Sequence, residues 1–312
     1  MKIGIIGAGK VGTTLGKHLA CNGVPVAGYV SCSRESAVTA ADFTETTAYH
    51  TLEELVSASD TLFLTTPDGE IGRVWDCIRD TRIELQEKII CHFSGSLSSH
   101  VFSGIEQTGA YGCSIHPMFA FNDKFTSYQE FPQAMLTLEG HQKAVHAVTS
   151  LFGDCLGHRI LTIRTEDKVR YHAAATMASN YMIGLFQVSL LLLEECGFSQ
   201  EEGNGLLHSL VRTNVENMLE KGAQEALTGP IERNDMGTVK KHLQTLDSAP
   251  AIGKDERKDC DGEDGALAWD GGCVNVDRIY RELGQVLVSI AEKKNPDRDY
   301  ARLRHLLARQ DI

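Results

Sequence analysis

The chain has 312 residues, 42% hydrophobic and 23% charged, with a net charge of −12 at pH 7. That length accommodates one large or two medium domains, and the composition is ordinary for a soluble globular protein. So negative a surface repels nucleic acid and anionic membranes, which argues against both as main partners.

In chain order, the apolar run Ile3–Ile6 is too short for a signal peptide and meets a glycine-rich turn at once. β-rich runs at 2–6, 25–31, 61–66, 88–93 and 110–115 predict strands, with weaker ones at 46–49, 134–138 and 158–163. Helical patterning fills the gaps, at 11–22, 34–41, 52–58, 70–79, 97–108 and 141–152. Such alternation predicts an α/β fold with a doubly wound, mainly parallel sheet. After Thr165 strand signals stop, and helical patterns follow at 166–196, 200–221, 238–246, 277–293 and 297–309. The expected division is therefore 1–163 as a Rossmann dinucleotide-binding domain and 164–312 as an all-α domain.

Residues 171–193 hold no Asp, Glu, Lys or Arg and approach membrane-spanning length. They also hold His172, Ser179, Asn180, Gln187 and Ser189, which a membrane helix would have to hide. A central helix, buried nearly all round, is the expectation. The polar stretch 247–272 reads as a surface loop inserted between helices. Its Asp259, Asp261, Glu263 and Asp264 do not match the spacing of a calcium loop, and no metal site is expected. The nine cysteines form no CxxC pair, and their odd, irregular set suits reduced thiols in a cytoplasm.

The chemistry begins at Gly7-Ala8-Gly9-Lys10-Val11-Gly12, between an apolar strand and an apolar helix. There Gly7 permits the tight turn, Gly9 the approach of a pyrophosphate and Gly12 close helix packing. The helix start then offers N–H groups and positive dipole to phosphate. An NAD site usually carries an acidic residue at the end of the second strand. Here Ser31-Cys32-Ser33-Arg34 stands instead. Ser31, Ser33 and Arg34 suit a 2′-phosphate, which favours NADP over NAD. Two further strand ends, Thr65-Thr66-Pro67-Asp68 and Phe93-Ser94-Gly95-Ser96, are candidates to border the nicotinamide ribose and the substrate. Asp68 and Ser96 serve equally well as helix caps.

His116, at a strand end before Pro117, is a candidate donor of a hydrogen bond or proton to substrate, or a structural histidine. Lys168, His172, Ala175, Thr176, Ser179 and Asn180 share one helix face. Either a satisfied network between helices or a cleft-facing site meets the needs of that stripe. In the second case Lys168 or His172 protonates the substrate and Asn180 orients it. The loop 227–235, with Thr228, Arg233 and Asp235, reads as a substrate pocket wall or as a rigid turn.

Together these motifs resemble the Rossmann-like oxidoreductases that carry a C-terminal helical domain of unknown function, domain 2520. The resemblance rests on Gly7–Gly12, Thr66-Pro67-Asp68, Phe93–Ser96, Ser114-Ile115-His116-Pro117, Tyr171–Ala175 with Ser179-Asn180-Tyr181, and Leu227–Ile231 with Asp235 and Thr238-Val239. More distantly the chain is similar to pyrroline-5-carboxylate reductases, β-hydroxyacid dehydrogenases and coenzyme-F420-dependent NADP reductases. In β-hydroxyacid dehydrogenases a lysine and, one turn later, an asparagine carry the chemistry. This chain keeps the lysine, as Lys168, and has His172 in place of the asparagine. The resemblance implies a cleft-facing Lys168 and a homodimer through the helical domain. The expected function is NADP(H)-dependent reduction of a small carbonyl or imine, or oxidation of a hydroxy acid. The alternative is a non-catalytic NADP(H)-binding sensor or scaffold.

Overall fold

A computed structural model describes residues 1–247, 266–269 and 272–308 of the chain. Eight strands form one sheet: β1 (Ile3–Ile6), β2 (Val26–Val30), β3 (Thr47–Ala48), β4 (Thr61–Leu64), β5 (Ile89–His92), β6 (Tyr111–Met118), β7 (Met135–Gly140) and β8 (Ile160–Thr162). Their spatial order is β3-β2-β1-β4-β5-β6-β7-β8. All neighbours run parallel except β6 and β7, which are antiparallel, with Ser114 opposite Glu139 and His116 opposite Thr137. Each predicted strand, strong or weak, is present.

The central strands are apolar runs because both sheet faces are covered. One core gathers Ile5, Leu15, Leu19, Tyr29, Phe63 and Phe152; the other gathers Ile6, Leu62, Leu64, Trp75, Ile90 and Phe102. The covering helices are α1 (Lys10–Cys21), α2 (Arg34–Thr44), α3 (Leu52–Ser57), α4 (Asp68–Asp80) and α5 (Gln142–Val148). The stretch expected as a helix at 97–108 forms two short 3-10 turns instead, Ser99–Val101 and Ile105–Thr108. Gly104 and Gly109 take left-handed backbone at φ +73° and +72°, which interrupts an α-helix. Phe102, between the turns, packs edge-on against Trp75.

The chain divides into two compact units, Met1–Asn180 and Tyr181–Ile312. The first runs past the end of the sheet, through α6 (Lys168–Ala178). The helix expected over 166–196 breaks at Ser179 (φ −112°, ψ −75°), and α7 (Asn180–Glu195) follows. The expected all-round burial is not found within one chain. In α7 only Val188 and Leu190 are buried, while Ile183 is 67% exposed. Periodicity reports that an apolar face needs a cover; it does not say which molecule supplies it. By length and composition Thr165–Glu195 is also apolar enough to cross a membrane, the one such helix among the described residues.

The second unit holds most of α7 with α8 (Gln200–Ala226), α9 (Met236–Asp247), α10 (Val276–Lys294) and α11 (Ala301–Leu307). A capping box, Ser199 with Glu202, starts α8. Val239, Leu243, Val288, Tyr300, Leu303 and Leu307 form the core of this unit. Two short antiparallel strands, β9 (Ala266–Trp269) and β10 (Gly272–Asn275), add to an otherwise helical unit. Residues 248–265 of the expected insert, with Asp259, Asp261, Glu263 and Asp264, lie outside the described residues.

Candidate functional site

Beyond the carboxyl ends of β1, β2, β4 and β5 lies a cavity of about 880 Å³. Of the residues singled out in the sequence as cofactor-binding, Gly7, Ala8, Gly9, Lys10, Val11, Ser31, Ser33, Thr65, Thr66, Pro67, Asp68 and Ser94 line it. Gly7 makes the turn at φ +105°, a conformation that side chains resist. A Cβ on Gly9 would meet nothing within 4 Å, so the backbone stands open to the cavity there. A Cβ on Gly12 would overlap the Gly7 carbonyl and Thr65 Oγ1, so Gly12 serves packing and does not line the cavity. The α1 N-terminus carries no side-chain cap and no acidic residue in its first turn. Its N–H groups therefore remain available to an anion. Thr66 Oγ1 is a buried polar atom with no partner, on the wall of the same cavity. These features fit a dinucleotide.

Arg34 stands elsewhere. Its guanidinium donates to the carbonyls of Ala48 (2.9 Å) and Tyr49 (2.6 Å) and lies 3.4 Å from His50 Nε2, bracing the end of β3. It does not line the cavity, whereas Cys32 and Ser36 do. Ser33 caps α2 by accepting from Ser36 N at 3.2 Å. The opposite wall, with Leu52, Val74 and Cys77 from α3 and α4, escaped sequence reasoning, because apolar helix positions look alike before their packing is known. Ser94 Oγ and Ser96 Oγ both donate to Asp68, at 2.7 and 3.0 Å, tying the starts of two loops together.

Next to Ser94, the turn after β5 meets the ends of β6 and α6. Lys168 is 1% exposed, and its Nζ donates to Ser114 Oγ. Burial pulls its pKa down to about 8, against the opposing pull of Glu139 and Asp68, so it stays mostly protonated at neutral pH. Glu139 is itself buried and accepts from Ser99 N, Ser99 Oγ and Thr165 Oγ1 at 2.7–2.9 Å. The His116 and His172 rings lie 5.7 Å apart, centroid to centroid. A Cβ on Gly95 would overlap His172 and stand 2.8 Å from His116 Nε2, so only glycine admits both rings. Burial, with Lys168 and His172 nearby, lowers the His116 pKa to about 4. His92 is fully buried; its Nδ1 accepts from Ser94 N at 3.3 Å, and the ring also meets the Ser98 backbone. Its pKa also falls to about 4, chiefly through burial and then Lys168.

Lys168, His172 and His116 are thus brought together, whereas Asn180 is exposed at the start of α7. Thr176 is half-buried and Ser179 exposed. The 227–235 loop acts as a turn: Asp235 caps α9 through Thr238 N (3.0 Å) and Oγ1 (2.7 Å), and Asn234 holds the Asp299 carbonyl at 2.8 Å. Sequence reasoning missed Tyr171, whose hydroxyl lies 2.9 Å from His116 Nδ1, and Glu139. Tyr171 stood in the motif shared with the resembled family, beside His172, but the register that brings it to β6 is not written locally.

No protein of curated function matches the chain. The solved structures it resembles include protein TM1727 of Thermotoga maritima, with a TM-score of 0.68 and 23% identity over 94% of this chain and 99% of that one. Another is BF3122 of Bacteroides fragilis, named provisionally as an NADP oxidoreductase, with a TM-score of 0.65 and 21% identity over 92% and 98%. A third is a reductive aminase of Aspergillus terreus in complex with NADPH and ethyl-5-oxohexanoate, with a TM-score of 0.57 and 13% identity over 98% and 92%. Pyrroline-5-carboxylate and imine reductases share the fold as well. At these identities the likeness is one of fold. A Rossmann-like domain model matches residues 1–117, and a domain of unknown function, DUF2520, matches residues 134–257. The chain is therefore a Rossmann-like domain followed by a DUF2520 domain.

Proposed function

We propose that the protein is an NADP(H)-dependent oxidoreductase acting on a small carbonyl, imine or hydroxy acid. One observation carries this reading: Ser94 lines the cavity beside the glycine turn, and the next residue, Gly95, packs against two imidazoles beside a buried lysine. A bound nicotinamide supplies or accepts the hydride. The chain's own part is to orient substrate and to offer hydrogen bonds or a proton at the substrate's oxygen or nitrogen. The α1 start and Gly9 would hold the pyrophosphate, and Thr66, Asp68 and Ser94 would border the nicotinamide ribose. Ser31, Ser33 and Ser36 line the cavity where β2 ends, with no carboxylate among them, which supports NADP over NAD. The relatives named above support the same cofactor class.

The test pairs direct binding of NADPH and NADH with NADPH oxidation over a panel of ketones, aldehydes and cyclic imines. Lys168→Met and His172→Ala should each lower turnover about a hundredfold while NADPH affinity survives. Unchanged turnover in both variants removes α6 from the mechanism. Tight NADPH binding without turnover of any panel member favours a sensor or scaffold.

We further propose a homodimer in which a second copy covers the apolar faces of α7 and α8. Ile183, Leu210 and Leu219, 67%, 58% and 76% exposed, support this, being too apolar to be left to water. Seven cysteines, from Cys21 to Cys196, are free thiols, which supports a reducing, cytoplasmic setting.

A further inference from the structure

We propose that Tyr171 is a positioning residue that holds His116 as the neutral tautomer with its proton on Nε2. The site then presents a fixed N–H donor to a neutral acceptor atom of the substrate, a carbonyl oxygen or an unprotonated imine nitrogen, and disfavours a cationic iminium. This deepens the oxidoreductase reading and rests on it for the substrate clause alone.

The arrangement starts in the sheet. The antiparallel register sets Thr137 of β7 opposite His116 of β6. Tyr171 stands one turn after Lys168 on α6, and Lys168 is anchored to Ser114 on the same face of β6. The Tyr171 hydroxyl thereby meets His116 Nδ1 at 2.9 Å and is hydrogen-bonded by Thr137. Thr137 is 5% exposed, so water does not replace it readily. Of the three groups the phenol is the most acidic O–H and the imidazole nitrogen the strongest acceptor. Tyr171 therefore donates to Nδ1, and Thr137 donates to Tyr171. With Nδ1 an acceptor, the ring's one proton sits on Nε2.

Nε2 is the atom that faces Gly95, whose neighbour Ser94 lines the cofactor cavity. The charged and titratable groups around His116 are Lys168 and His172 from α6 and Asp68 from the start of α4. Burial and the Lys168 ammonium keep the ring neutral through the physiological range. A neutral imidazole N–H polarises a C=O or C=N by donating a hydrogen bond. A protonated iminium has no lone pair to receive that bond, and the ammonium of Lys168 stands near.

The experiment uses the full chain with ¹⁵N-labelled histidine and needs no substrate. Long-range ¹H–¹⁵N spectra at neutral pH should show His116 with a pyrrole-type Nε2 and a pyridine-type Nδ1, assigned by loss of the signals in His116→Gln. In Tyr171→Phe the two tautomers should mix and the His116 titration should move upward, because the bond that favours the neutral ring is gone. A proton on Nδ1 in the wild type, or a tautomer unchanged by Tyr171→Phe, overturns the proposal. Should Tyr171→Phe fold poorly, the wild-type spectra decide alone, since the position of the His116 proton is read there without any variant. With a substrate found in the panel, Tyr171→Phe should lower kcat about tenfold, the worth of one hydrogen bond, with KM little changed. Ketones or neutral imines should outpace N-alkylated iminium salts, and the reverse order overturns the substrate clause. The spectra stand even if no turnover is ever found, so a failure of the tautomer and a failure of the oxidoreductase reading are separable.

Discussion

Acidification should destabilise the first unit well before its carboxylates protonate. Three histidines there are held neutral: His18, His92 and His116, each lowered from 6.5 to about 4. His18 is 3% exposed on α1, and burial and then His158, whose Nε2 lies 2.9 Å away, depress it. In each case the folded pKa lies below the unfolded one, so the unfolded chain binds more protons. The stability they contribute is present above about pH 6.5 and is lost as pH falls toward 4. Between about pH 7.5 and about pH 5.5 a single such histidine costs about 1.4 kcal/mol, and three cost about 4 kcal/mol. That is a large part of a typical domain's stability. The assay is urea unfolding without NADPH, since cofactor binding would add stability of its own. It is followed by the fluorescence of buried Trp75 in a Trp269→Phe background, which leaves Trp75 as the chain's one tryptophan. His18→Gln should reduce the loss by about a third. An unfolding free energy that changes by less than about 1 kcal/mol over that interval would refute the reasoning, because the histidines would then titrate alike in both states.

Other outcomes follow from the same geometry. Gly95→Ala should displace the His172 and His116 rings and lower turnover at least about tenfold, with NADPH affinity retained on titration calorimetry. Gly12→Ala should weaken NADPH binding and lower Tm together, since its methyl meets backbone at Gly7. Ser31→Asp should reverse the preference for NADPH over NADH in measured Kd values, by placing a carboxylate where β2 ends. Ile183→Glu should shift the chain from dimer to its 34.2 kDa monomer in light scattering; a wild-type chain that is already monomeric removes the dimer.

Much of this protein was legible locally. The alternation of apolar strands with helices, the glycine turn and the grouping of serines at the end of β2 are properties of segments a few residues long. Backbone sterics and side-chain periodicity act at that range, so the eight strands of the large sheet and most of the cavity's polar lining could be read directly. Three matters were decided only by tertiary structure. Arg34, set beside the 2′-phosphate position in sequence, is held by the carbonyls of Ala48 and Tyr49, because β3 ends within its reach. The stripe on α6 and α7 splits: Lys168 is buried against Ser114 while Ser179 and Asn180, where the helix breaks, face outward. Tyr171 meets His116 across 55 residues of chain only because β7 reverses direction beside β6 and α6 is anchored at Lys168. Residue type and spacing determined what holds a cofactor. Register between distant segments, which no local pattern encodes, decided which side chains converge beside it.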